Sequence, residues 1–325
     1  MLHITNGDCA AQVMLDAELE GIVLPWRDIL HEGPVPDGLD LSALREVRAR
    51  FLASRQWADY DEAIRSMAGR DAVLEGFREH DETVLWFEHD LYDQLQLIQI
   101  LDWFSRQELG NTRLSMVCRD EYLGNMNPKR IHELFPLRSD VTPTQLKLAT
   151  RSWTAFRSEE PGKLQQLLSE DTSHLPFLKA ALTRHLQQFP SVENGLSRSE
   201  QQGIQAIADG KRVIKDVYLS SHHGMEDPIF LGDSTFAEYL AELSDSTSPL
   251  VTLETGAPIN RAVLADSNFF DQSVVLTETG RRVLNCDDDR VSLNGIDRWY
   301  GGIHLKGYTV EWRWDESNMT IRHMD

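Results

Sequence analysis

"TVLWFEHDLYDQLQLIQILDWFSRQ", residues 83–107, decides how the chain is read. Its opening is β-branched and aromatic, which suits a buried strand over 83–88. The remainder changes period, placing Leu91, Leu95, Ile98 and Leu101 on one helical face and turning Gln96, Gln99 and Arg106 away. Glu88, His89, Asp90 and Asp93 stand at the joint. A strand that passes at once into a helix, with polar residues between, is one βα unit of a parallel sheet.

The same grammar recurs on either side. "LHIT" (2–5), "GIVLPW" (21–26) and "RLSMVC" (113–118) read as strands, and "CAAQVMLDAELE" fits one helix between the first two. Residues 41–79, rich in Arg, Ala, Leu and Glu, read as two or three inserted helices. Residues 1–140 are therefore expected to form a doubly wound, mostly parallel α/β domain. From 141 to 195 the pattern is helical, starting near Pro143 and anchored by Trp153 and Phe156, which predicts a bridge. "PSVENGLSRSE" (190–200) brings a proline, a glycine and a fresh helix cap together and reads as a boundary. Residues 196–325 then follow the order of a winged-helix-like α+β domain: "SRSEQQGIQAIADG" as a helix, "VIKDVYLSS" extended, "GDSTFAEYLAEL" as a helix, and "PLVTLE" and "SVVLTETGRRVLN" containing strands.

Charge limits the partners. The 325 residues carry a net charge of −20, which works against a polyanion, since affinity for nucleic acid rests on Lys and Arg neutralising phosphates. Residues 196–325 hold 12 Lys or Arg against 21 Asp or Glu, a net of −9. The helix over 233–243, where a winged helix reads DNA, contains Asp233, Glu238 and Glu242 and no basic residue. A protein-interaction or homo-oligomerisation role suits the module better. No run approaches the roughly 18 apolar residues of a membrane helix, and "MLHIT" has no basic leader, so no membrane and a cytoplasmic location are expected. Cys9, Cys118 and Cys286 form no CxxC pair and read as incidental thiols. "SHHG" (221–224) lacks a third ligand in register and reads as a solvated loop, while the glycines of "DRWYGGIHL" (297–305) permit a tight turn or a close backbone approach.

Ligands of open α/β sheets bind beyond the carboxyl ends of the strands. There the sequence sets Asn6, Gly7 and Asp8; Trp26, Arg27 and Asp28, with His31 just beyond; Glu88, His89, Asp90 and Asp93; and Arg119. Carboxylates beside imidazoles can hold Mg²⁺ or Mn²⁺ or tune one another for acid/base work. We expect His89, Asp90, His31 and Asp28 in catalytic roles, and Asp8 with Asp90 as metal ligands. Asn6, Gly7, Asp8, Trp26, Arg27, Glu88, Asp93 and Arg119 are expected to contact substrate, with Arg27 or Arg119 gripping an anionic group and Gly7 admitting the backbone. Capping of a helix explains Asp8, Asp90 and Asp93 without any ligand. The histidines resist that explanation. P-loop, GxGxxG, GxSxG and HExxH motifs are absent.

"HITNGD" (3–8), "WRDILHEGP" (26–34) and "FEHDLYDQLQLIQIL" (87–101) resemble stretches of an uncharacterised bacterial family of unknown function, over about the first 120 residues. "LTETGRRVLN" and "DRWYGGIHL" resemble the region that follows in such proteins. The resemblance implies a fold and a site location, not a reaction. The expected function is that of an enzyme, a hydrolase or group transferase, acting on a small phosphorylated or nucleotide-like molecule. The alternative is a metabolite sensor or adaptor whose C-terminal module engages a protein.

Overall fold

The computed structural model describes residues 1–324. They fall into two compact units: Met1–Thr183 with Trp299–His304, and Arg184–Arg298 with Leu305 onward.

The first unit is built on a sheet of five strands. Its elements are β1 (Leu2–Thr5), α1 (Asp8–Asp16), β2 (Ile22–Pro25), a short β3 (Gly33–Pro34), α2 (Leu41–Ser54), α3 (Tyr60–Glu75), β4 (Glu82–Phe87), α4 (Leu91–Phe104), β5 (Arg113–Cys118), α5 (Pro128–Leu134), β6 (Ser139–Asp140), α6 (Pro143–Arg157) and α7 (Pro161–Leu168). The order is β2-β1-β4-β5-β6, parallel except for the edge strand β6. The expected mixed α/β class with a mostly parallel sheet is thus observed, and 41–79 contains the two inserted helices. β1 to β2 steps one way along the sheet and β4 to β5 the other. Right-handed crossovers therefore send α1 and α4 to opposite faces. Ala10 and Met14 of α1 and Ile131 and Leu134 of α5 cover the face that carries Val84, Trp86 and Val117.

α4 departs from the expected half-exposed helix. Gln96 and Gln99 are buried against the segment that follows β2, and α6 packs along the helix as well. There Gln99 Oε1 accepts the Trp26 indole N–H at 2.7 Å, and Gln96 Nε2 donates to the Asp28 carbonyl at 2.9 Å. Buried amides need such partners.

Residues 299–304 return to this unit. Tyr300 and Gly301 pair in parallel with Gly33 and Pro34. The expected close approach is real: Gly301 has φ 65°, and a Cβ on Gly302 would lie 1.8 Å from the Arg157 carbonyl oxygen. Gly302→Ala should therefore cost about 1–3 kcal/mol in urea unfolding, because backbone has to move. Gly162→Ala, in α7 with open space around it, should be neutral or slightly stabilising. Equal stabilities for the two variants would refute the steric account.

The second unit contains α9 (Arg198–Ala208), α10 (Ile214–Tyr218), α11 (Asp233–Ser244) and the antiparallel pair β7 (Val251–Leu253) and β8 (Val274–Leu276), after α8 (Leu178–Leu186), which runs across the division. The helix Glu278–Leu284 and a hairpin of Trp312–Asp315 with Thr320–His323 follow. Two expectations are corrected here. "VIKDVYLSS" is not extended but helical, α10 running into a π turn at Leu219–His223; Ile214 and Val217 are buried at helical spacing, and packing overrides β propensity. His222 is not solvated: it is fully buried, its Nδ1 is 2.7 Å from Ser221 Oγ, and burial lowers its pKa to about 3. α11 is buried over most of its length, including Glu238. Among the described residues no helix is long and apolar enough to cross a membrane.

Candidate active site

β1 lies between two parallel neighbours, with Thr5 opposite Pro25 on one side and Trp86 on the other. The chain leaves β1 for β2, then returns past β1 to β4. Such a reversal is the switch point at which the crevice of an open α/β sheet is expected, outside the carboxyl ends of β1 and β4. Asn6 and Gly7 enter it from one strand and Glu88 to Asp93 from the other.

Helix capping builds the centre of the crevice. Asp90 is the N-cap of α4, and its Oδ1 accepts from the Asp93 N–H at 3.0 Å. Asp93 Oδ1 accepts from the Glu88 N–H at 2.7 Å, and its Oδ2 accepts from Asn6 Nδ2 at 2.8 Å. Glu88 Oε1 accepts from the Leu123 N–H at 2.7 Å. These bonds gather three carboxylates, and one oxygen from each of Glu88, Asp90 and Asp93 lies within 4.8 Å of the others. Among the described residues this is the only such group of His, Cys, Asp or Glu ligand atoms.

All three acids are buried. Burial pushes the Asp90 carboxyl up to about 7, with the Glu88 charge adding to the rise. Burial, then the charges of Asp90 and Glu88, hold Asp93 well above the ordinary carboxyl range. Glu88 is also raised by burial. Several buried acids elsewhere have cations beside them: Asp28 has Arg48, Asp71 has Arg45 and Arg70, Glu226 has Arg184, and Glu200 has Arg298. Among the described residues, Glu88, Asp90 and Asp93 have no Lys or Arg partner. A proton or an added cation must offset their charge, since buried unpaired carboxylates are costly.

The other expected site residues separate into distinct settings. Asp8 is not beside Asp90: it is exposed and ion-paired with Arg27, whose Nε donates at 2.8 Å. Parallel pairing of β1 and β2 sets those two residues together at the rim, so the ligand set is Glu88, Asp90 and Asp93 rather than Asp8 and Asp90. Asp28 is buried against Arg48, and Trp26 is buried with its N–H on Gln99; both are committed to the interior. Gly7 is extended at φ −167°, and an added Cβ would meet only Tyr92 Oη at 3.9 Å, so nothing there demands glycine. His31 is buried, edge-on to Tyr92 with centroids 6.0 Å apart, and Tyr92 Oη donates to the Asn6 carbonyl at 3.3 Å. His89 is half-buried between the rings of Tyr122 and Phe177, at 5.2 and 5.8 Å.

Arg119 follows β5, and its N–H bonds to the Phe87 carbonyl, one residue before Glu88. Its half-buried guanidinium has no ion-pair or hydrogen-bond partner among the described residues. The first turn of α1 has no side-chain cap either, leaving N–H groups directed at the carboxyl edge, where an anion is favoured. The sequence reading missed Leu123, Tyr92, Arg48, Phe177 and Gln94, whose Nε2 donates to the Glu88 carbonyl at 2.6 Å. Tyr92 and Gln94 carried a signal, being polar groups at the start of an otherwise apolar helix; Phe177 carried none. No protein-family model and no curated protein matches the chain.

Proposed function

We propose that the chain is an enzyme, a hydrolase or group transferase, which acts on a small phosphorylated molecule in the crevice between β1 and β4. A divalent cation such as Mg²⁺ sits on Glu88, Asp90 and Asp93, Arg119 grips the anionic group, and His89 and His31 serve the proton transfers. The observation that carries this reading is the buried acidic trio without a Lys or Arg partner, in a fold that pairs buried Asp28, Glu226 and Glu200 with arginines. Oxygen-only donors suit a hard cation. An anion that shares this cation also neutralises Arg119. In hydrolysis, water forms the new P–O bond and gives its proton to a carboxylate. The ester oxygen leaves with the bond's electron pair and takes a proton from an imidazole.

Calorimetric titration of Mn²⁺ at pH 8 tests the reading, together with phosphate release from a panel of phosphate esters. Asp93→Asn should weaken Mn²⁺ binding by about tenfold or more, since it removes a ligand charge. Arg119→Met should leave Mn²⁺ affinity intact and weaken binding of the phosphate ester. Absence of Mn²⁺ binding to the wild type at millimolar concentration would overturn the proposal. Ester binding without turnover would move the assignment to a metabolite sensor.

A further inference from the structure

A second concavity opens at the same edge of the sheet. It lies between the end of β2 and the α2–α3 pair and has a volume of about 240 Å³. Leu24, Leu52, Ala63 and Met67 form apolar walls. Glu62 and Ser66, both exposed on α3, supply a polar rim. At its base the buried Arg70 guanidinium lies over the Trp26 ring, 4.0 Å from the centroid. Apolar cavities of about 150 Å³ accept a benzene ring, so this one has room for a larger flat ring. Mostly apolar walls with a few polar groups are the composition of small-molecule sites.

The cleft and the acidic trio are joined through one residue. Arg27, a wall of the cleft, donates its N–H to the Asn6 carbonyl at 3.1 Å, and Asn6 Nδ2 reaches Asp93 at 2.8 Å. Arg27 has φ 54°, a left-handed conformation that is uncommon outside glycine and recurs at functional sites. Its side chain crosses to Asp8, and both partners are more than half exposed, at 52% and 69%. Such a pair opens at little cost. A guanidinium at that rim can then stack on an aromatic ring.

We propose that this cleft receives the heteroaromatic ring of the substrate whose phosphate is held at Arg119 and the acidic trio, which makes the substrate class a nucleotide. The inference rests on the reading of the trio given above. Glu62 accepts a hydrogen bond from the ring's N–H groups, Met67 and the apolar walls pack its faces, and Arg27 closes over it.

The test is calorimetric titration of the full chain with adenosine monophosphate and with ribose 5-phosphate, in Mg²⁺, for wild type, Ser66→Trp and Glu62→Trp. Both substituted positions are exposed, and either indole blocks the cleft. The wild type should bind the nucleotide at least about tenfold more tightly than the sugar phosphate, a preference worth ~1.4 kcal/mol. Both variants should lose that preference and keep their affinity for ribose 5-phosphate. Equal wild-type affinities, unmoved in the variants, would overturn the ring site and leave the phosphate site standing. Failure of the wild type to bind either compound would overturn both.

Discussion

Arg48→Ala is expected to destabilise the first unit by about 3–5 kcal/mol, the cost of leaving a buried charge without its partner. Arg48 and Asp28 are each 1% exposed, and Arg48 Nε donates to Asp28 Oδ1 at 3.0 Å. The same guanidinium donates to the carbonyls of Ile29, Glu32 and Pro34 at 2.8, 2.6 and 3.3 Å. One side chain thus fixes residues 28–34, the loop after β2 together with β3. Truncation strands the Asp28 carboxylate and frees three carbonyls at once. Because His31 rides on this loop and abuts Tyr92, whose hydroxyl supports Asn6, the variant should also bind Mn²⁺ more weakly. Replacing both charges, as Asp28→Leu with Arg48→Met, should recover much of the stability, since apolar groups of similar volume often substitute for a buried pair. Chemical denaturation compares the three proteins. A loss below about 1 kcal/mol in Arg48→Ala would show that the loop is held by other means.

How much of this was legible beforehand depends on the range of the interaction. The strand and helix within 83–107 were legible because period and residue type agree over long runs. Asp90 and Asp93 were legible as a capping pattern, and Asp90 does cap α4, while the Asp93 carboxylate turns instead to the Glu88 N–H and Asn6; their clustering with Glu88 follows from the same short turn. The Asp8–Arg27 pair was not legible, since it depends on the register of β1 against β2. Nor was the burial of Gln96 and Gln99, because helical period marks an outward face without saying that Trp26 and Asp28 meet it. β6, two residues long, is too short to show alternation. The return of 299–304 to the first unit rests on a parallel pairing with residues far away in sequence. Local pattern locates the polar edge of the sheet; tertiary pairing decides which residues in it meet.

Without added cation, the acidic trio's own contribution to stability should fall as pH rises from about 4 to 8, against the trend of ordinary salt-bridged carboxylates. Asp90 moves from an ordinary 3.8 to about 7, chiefly through burial, and Asp93 and Glu88 shift the same way. A carboxyl with a raised folded value keeps a proton that the unfolded chain releases. Its contribution is therefore full below the unfolded value and is lost as pH climbs through the folded one. At ~1.4 kcal/mol per pH unit, Asp90 alone accounts for something on the order of 4 kcal/mol. Other groups act in the opposite sense: Glu82, Glu200 and Asp289, lowered by arginine partners, lose their contribution as pH falls through their lowered values, and His185 and His222, lowered to about 3 by burial, cost stability as pH falls below about 6.5. The difference between wild type and Asp90→Asn, measured by denaturation at each pH, isolates the trio, because asparagine keeps the cap and removes the titration. That difference should favour the variant increasingly from pH 5 to 8. Millimolar Mg²⁺ or Mn²⁺ should then reverse it, since a cation bound only by the folded state replaces the lost protons and stabilises by mass action. A pH-dependent difference that no divalent cation reverses would mean that the trio stores protons and holds no metal.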